Sequence, residues 1–272
     1  MRLKRTSSSQ RGFTLVELAV VLAIVGLLLG SLIYTLSAQS DQRAREQTQR
    51  SLEQAREALL GFAVANGRLP CPASAGSSGV ESPAGGGDCS NYYDGFLPAV
   101  TLGFQPVDSD GFALDAWNNR IRYAVARNLN AGTCAGTSAV PHFTVKATLK
   151  QNGMSCQPSN LELLICKSSQ SAPAPVAGNC GPAANAVTSA NPSGTVVAII
   201  FSTAKNYALA PSAALAAAAG KADEAANLDG NAVFISHTPA PAGATGGEFD
   251  DMMVWIPVGV LYGRLATAGV LP

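Results

Sequence analysis

The chain has 272 residues, with 18 Lys or Arg and 18 Asp or Glu, so it is formally neutral at pH 7. Charged residues are 13% of it, about half of the ~25% usual in soluble domains, and no basic field is present that would hold nucleic acid without regard to sequence. Two histidines leave little material for a His-rich metal centre or a Ser-His pair, whereas 47% apolar residues suffice for a core.

The first twelve residues, MRLKRTSSSQRG, carry Arg2, Lys4, Arg5 and Arg11 and no acid. An apolar run fills 13–36, and no residue from Leu18 to Ser40 is charged. As a helix rising ~1.5 Å per residue, that stretch is long enough to cross a ~30 Å hydrocarbon layer. Three readings of this terminus compete: a secretory signal removed near Leu36-Ser37-Ala38, a plain membrane anchor, or a segment whose purpose turns on Glu17. A carboxylate early in an apolar run is expensive in lipid and calls for a partner.

The string Gly12-Phe13-Thr14-Leu15-Val16-Glu17 resembles the prepilin cleavage and methylation motif of type IV pilins and type II secretion pseudopilins. The resemblance implies that a prepilin peptidase cuts after Gly12, that Phe13 becomes the N-methylated terminus, and that Glu17 meets the terminal amine of a neighbouring subunit during assembly. In lipid such a carboxylate and ammonium attract far more strongly than in water, while each alone is costly. It further implies a single-pass protein of the bacterial inner membrane, its head in the periplasm, that passes into a filament at the cell surface. The implied partners are the prepilin peptidase, other pilin or pseudopilin subunits and an inner-membrane assembly platform. By family comparison the chain is long for a major pilin, which implies a minor subunit or pseudopilin. Type IV pili, type II secretion and DNA-uptake filaments share the motif and are not separated by it. The rival from another class is a secreted or anchored extracytoplasmic binding module with an ordinary signal peptide.

Residues 40–65 read as a polar helix that turns amphipathic, with Leu52, Ala55, Leu59, Phe62 and Ala63 at helical spacing and a stop at Asn66-Gly67 before Pro70. No Gly or Pro separates Leu36 from Ser40, so one helix from Phe13 to about Ala65 is expected. The Pro-, Gly- and Ser-rich stretch 71–98 predicts a loop. Alternation at Ile121, Tyr123 and Val125 and at Phe143, Val145, Ala147 and Leu149 predicts half-buried strands. Apolar runs at 161–166 and 195–202 predict buried strands, and 231–236 and 252–256 add two more. Pro257 predicts the start of a last helix with Val258, Leu261, Tyr262 and Leu265 on one face, its N-cap falling on Ile256. The fold class is therefore α+β: a long N-terminal helix, half membrane and half amphipathic, on an antiparallel sheet with long disulfide-bearing loops. The expected divisions are a leader at 1–12, a transmembrane or filament-core helix at 13–36, a stem helix at 37–66 and an extracytoplasmic head at 67–272.

All six cysteines, Cys71, Cys89, Cys134, Cys156, Cys166 and Cys180, follow the apolar run, and none forms a C-x-x-C pair, which fits an oxidising compartment. Fifteen pairings are open; sequence neighbours (71–89, 134–156, 166–180) are the expectation. Asp115-Ala116-Trp117-Asn118-Asn119 resembles a turn that precedes the first head strands of pseudopilins, with Asn118 where glycine is usual. It is read as a capped turn with Trp117 in the core. Asp250-Asp251, with Asp223 upstream, and Asp108-Ser109-Asp110-Gly111 offer oxygen ligands of the kind Ca²⁺ takes, although no Glu completes an EF-hand. No cofactor is otherwise implied. His142 and His237 lie in no known nucleophile–base pattern, so the chain is read as structural and not as an enzyme.

Overall fold

The computed structural model describes Gly12 and residues 14–127, 140–155, 163–188, 196–209 and 212–271, the side chains of 29–38 and Leu209 excepted. Phe13, Cys134 and Cys156 lie outside the described residues. The chain divides into two compact units, Met1–Ala44 and Arg45–Pro272. Helix α1, Leu15–Asn66, supplies elements to both.

In the first unit, the described side chains of α1 from Leu15 to Leu28 are exposed, among them Leu15, Val16, Leu18, Leu22 and Leu27. Among the described residues no helix is long and apolar enough to cross a membrane. The membrane half expected at 13–36 is thus not shown by the structure.

The second unit is built on strand β4 (Val196–Ser202), all seven of whose residues are buried. Strands β1 (Gly95–Phe96), β2 (Arg122–Val125) and β6 (Met252–Pro257) join it in an antiparallel sheet of order β1-β2-β4-β6. Register is set by pairs such as Tyr123 with Ile200 and Ile200 with Val254. A strand buried on both faces reads as a continuous apolar run, which is what Val196–Phe201 shows. The stem half of α1 contributes Leu52, Ala55, Leu59, Leu60 and Ala63 to the same core. Phe62, expected there, lies half-buried at the rim with the Arg68 guanidinium 5.2 Å over its ring. The helix ends at Gly67, whose φ of 70° suits a residue without Cβ.

A short helix α2 (Ala99–Leu102) follows β1. The loop before it is organised by Glu81, which accepts two bonds from Arg68 (2.8 and 2.6 Å) and one each from the backbone N–H of Cys71 and Gly85. Disulfides close Cys71–Cys89 and Cys166–Cys180.

Four expectations need correction. The stretch 143–149 is not a strand: Phe143 is buried in a loop, and Lys146–Asn152 forms helix α3. Lys, Ala, Leu and Gln favour helix intrinsically, Thr148 Oγ1 bonds back to the Val145 carbonyl, and Gly153 caps the end, so local propensity overrides the two-residue alternation. Strands β3 (Leu164–Cys166) and β5 (Val233–Ile235) pair parallel in a separate sheet and do not join the antiparallel one. Between them in sequence lie α4 (Ala213–Ala218), capped by Ser212, and α5 (Ala222–Ala226). Trp117 is half-buried and outside the core. The last helix, α6 (Val258–Thr267), buries the four residues expected, but its N-cap is Pro257, the final residue of β6.

His142 is fully buried against Tyr262 of α6, sharing a 3.0 Å hydrogen bond through Nε2 while Nδ1 has no partner. Burial lowers its pKa to about 4. Because the folded value lies below the unfolded one of ~6.5, the neutral ring adds stability above that pH, and the gain fades as pH falls through 6.5 to about 4. Denaturant unfolding measured across that window is expected to lose about 3 kcal/mol from this residue, and His142→Gln to flatten that part of the curve.

Candidate functional site

The N-terminal segment is built around the first turn of α1. Glu17 Oε2 accepts from the backbone N–H and from the hydroxyl of Thr14, both at 2.9 Å, and the Glu17 N–H donates to Thr14 Oγ1 at 3.2 Å. The first helical bond, from the Leu18 N–H to the Thr14 carbonyl, follows at 3.2 Å. Thr14 and Glu17 are thus a reciprocal capping box, in which two orphan donors of the helix start are satisfied and the carboxylate sits at the positive end of the helix. Sequence reasoning treated Glu17 as an acid without a partner and missed Thr14, although the T-x-x-E spacing carries the signal. Gly12 is exposed, and a Cβ built on it meets nothing within 4 Å, so nothing in the described fold requires glycine there.

A family model for a prokaryotic N-terminal methylation motif matches residues 7–33. The chain carries the methylation motif of pilin-like proteins. That match spans Arg11 and Gly12, the capping box and most of the apolar run, and it supports the type IV pilin and pseudopilin family. No curated protein and no solved structure matches the chain.

In the head of this pilin-like chain the Asp115 turn is a clamp. Asp115 Oδ1 accepts from the N–H of Trp117 and of Asn119, both at 2.8 Å, while Oδ2 accepts from Ser202 Oγ at 2.6 Å. Asn118 takes a φ of 65°, a conformation Asn tolerates better than most residues. The Ala116 N–H donates to Thr48 Oγ1 on α1, and the Asn119 side chain donates to the Ala204 carbonyl. The turn therefore ties the stem to the end of β4. Burial raises the Asp115 pKa, opposed by these donors.

Of the acids picked out by sequence as cation ligands, Asp108, Asp110 and Asp223 are engaged by other side chains. Asp108 and Asp110 bracket Arg120 at 2.8 and 2.5 Å. Asp223 is buried under donors: the Ser169 N–H and hydroxyl at 2.6 Å each, the Ser168 hydroxyl at 3.2 Å and His237 Nε2 at 3.2 Å. The other nitrogen of His237 faces the Thr238 carbonyl at 2.6 Å, and its ring stacks on Phe249 at 3.9 Å.

Asp250 and Asp251 instead meet Glu224 of α5, and one carboxylate oxygen from each lies within 4.8 Å of the others. The sequence places Asp223 and Glu224 side by side with Asn227 close behind, and of the two acids it is Glu224 and not the expected Asp223 that reaches Asp250 and Asp251, because a helix turns adjacent side chains to different faces. Glu224 Oε1 accepts from Asn206 Nδ2 at 2.8 Å and from the Asp250 N–H at 3.1 Å. Asp251 Oδ2 accepts from Asn227 Nδ2 at 2.8 Å, and Asn227 also bonds both polar backbone atoms of Ile235 in β5. Burial raises the Asp251 carboxyl well above the usual range. Asp250 rises to about 6, chiefly by burial and then by repulsion from Glu224, with Arg45 and Lys221 opposing.

Removing the Asp115 carboxylate strands several buried donors at once. Asp115→Ala is expected to lower unfolding free energy by about 3 kcal/mol in denaturant titrations of the full chain, and Asp115→Asn by less, since one oxygen still accepts.

Proposed function

We propose that this chain is a structural subunit, a minor pilin or pseudopilin, of a type IV pilus-like or type II secretion filament. The observation that carries the reading is the methylation motif at 7–33, with the open Gly12 and the capped Glu17 inside it. A prepilin peptidase cuts the bond between Gly12 and Phe13, and the new amine is methylated. Residues 1–12 are the leader, 13–36 the membrane and filament-core segment, 37–66 the stem and 67–272 the periplasmic head. Before assembly the chain sits in the bacterial inner membrane as a single pass, and it enters the filament through the assembly platform by packing α1 against other subunits.

Several physical features support this. Apolar side chains along Leu15–Leu28 are exposed, which suits burial in lipid or against neighbouring helices. Gly26 has open space around its Cβ position, and Ala19, Ala23 and Gly26 are small enough for close helix approach. The capping box lowers the cost of holding Glu17 in an apolar setting by giving its charge two local donors. A neighbouring subunit's amine offers the same oxygen a full positive charge, so assembly replaces weaker dipoles with an ion pair.

Because Gly12 is not needed for the fold, Gly12→Ala is expected to leave head stability unchanged while abolishing processing, read by intact mass and N-terminal sequencing from a host with and without the peptidase. A mature chain starting near Ala38 in the peptidase-deficient host would assign the protein instead to secreted binding modules. Glu17→Ala is expected to be cut normally and to reduce incorporation into sheared filaments at least ~10-fold, corresponding to roughly 1.4 kcal/mol of lost pairing.

A further inference from the structure

We infer that Lys221 and Asn206 are the two halves of an intramolecular amide cross-link, with Glu224 as the group that carries a proton between them. This goes beyond the filament reading and does not rest on it. Asn206 lies in the turn that follows β4, and Lys221 stands immediately before α5. Both are buried, at 6% exposure each, and both reach the buried carboxylate of Glu224. Asn206 Nδ2 donates to Glu224 Oε1 at 2.8 Å, and the Lys221 ammonium lies 3.5 Å from Glu224 Oε2. An amine and a primary amide are thus held on opposite oxygens of one acid.

Each half has unused bonding capacity. Lys221 Nζ is buried without a hydrogen bond, its second acid, Glu248, standing 3.3 Å away. Asn206 Oδ1 is likewise buried without a donor. An ammonium has three protons to give and is costly to bury while they go unmet, and a buried carbonyl oxygen with no donor is rare. The backbone holds both groups in place. The Asn206 N–H bonds Asp250, which fixes the amide end. At the amine end the turn closed by the Gly247 N–H and the Ala244 carbonyl packs on the lysine: a Cβ at Gly247 would sit 1.9 Å from the Gly220 carbonyl oxygen and 2.8 Å from Lys221 Cα. Joining the two removes a buried charge and leaves a neutral amide in its place.

The step is a transamidation that balances without another reagent. Glu224 takes one proton from the Lys221 ammonium, and the freed Nζ lone pair attacks Asn206 Cγ. The Cγ–Nδ2 bond breaks, and Nδ2 departs as ammonium with the proton returned by Glu224 and one more from Nζ. A Cγ–Nζ bond replaces the Cγ–Nδ2 bond, one ammonium is exchanged for another, and the carboxylate ends ionised as it began. Holding both halves on one acid supplies the proximity, and the flexible four-carbon lysine stem carries Nζ across the remaining gap. The neighbouring acids tolerate loss of the lysine charge, because burial keeps the Asp251 carboxyl well above the usual range and raises Asp250 to about 6. The product ties the turn after β4 to the start of α5.

The test is mass spectrometry of the full chain, purified in detergent from its native host and reduced so that cystines do not contribute. The parent is expected to weigh one molecule of ammonia less than its sequence, from the N-terminus found, requires. Its digest should hold a branched peptide joining Lys221 to Asn206, uncut by trypsin after Lys221. Branching separates the cross-link from a succinimide at Asn66-Gly67 or Asn152-Gly153, which loses the same mass. Lys221→Arg keeps the charge without the nucleophile, and should show the full mass, no branched peptide and a Tm lower by about 5 °C. Glu224→Gln should also show the full mass although both halves are present. A parent of full mass with both peptides unlinked would overturn the cross-link, as would an ammonia loss that maps elsewhere or survives in Lys221→Arg. Complete cross-linking in Glu224→Gln would overturn the role of Glu224.

Discussion

A strand with every residue buried must be covered on both faces and paired on both edges, and β4 imposes that demand on the rest of the head. Strands β2 and β6 take its two edges in antiparallel register. The stem residues Leu52, Ala55 and Leu59 and the α6 residues Leu261 and Leu265 share its core. The Phe201 ring packs edge-on against Phe234 at 5.7 Å, so the small parallel sheet is attached through the same strand. At its C-terminal end Ser202 reaches Asp115, which in turn holds the turn that binds Thr48 of α1. Apolar burial supplies most of the driving force, and the polar clamp fixes which residues meet.

The head handles buried acids in two distinct ways. Glu81, Asp115 and Asp223 each sit where turns present backbone amides, so their charge is dispersed over short bonds of 2.6–3.3 Å. Such carboxylates are structural cross-links: they join segments distant in sequence and leave no valence for anything else. The trio of Glu224, Asp250 and Asp251 comes from helix α5 and from the two residues that precede β6. Among the described residues, donors there are the side chains of Asn206 and Asn227 and the backbone N–H groups of Asp250 and Asn206.

Much of this architecture was legible in the residues, and the failures have physical causes. The continuous apolar run of β4 and the Asn66-Gly67 stop translate directly into elements, and β2 is the strand expected there, although Ala124 and Ala126, expected on its outer face, are fully buried. The stretch 143–149 misled because Phe143 and Leu149 are buried for different reasons, one in a loop and the other on a helix, and their spacing mimics a strand. The parallel pairing of Leu164–Cys166 with Val233–Ile235 leaves no local trace, since a crossover of that length could join either sheet. In the sites, the motif around Gly12 and Glu17 was readable because its residues are contiguous. Thr14 was overlooked because attention to lipid cost hid an ordinary cap. The Asp223-Glu224 pair was legible beside Asp250 and Asp251, but which of its two acids faces them is decided only by the fold.

The position of the Thr14 cap has a mechanical corollary. Among the described residues, the hydrogen bonds that shape the first turn of α1 begin at Thr14 or beyond it. Scission of the bond that follows Gly12 therefore asks the long rod to unwind nowhere, and a freshly trimmed chain keeps its leading coil wound, with the acid already presented at the tip.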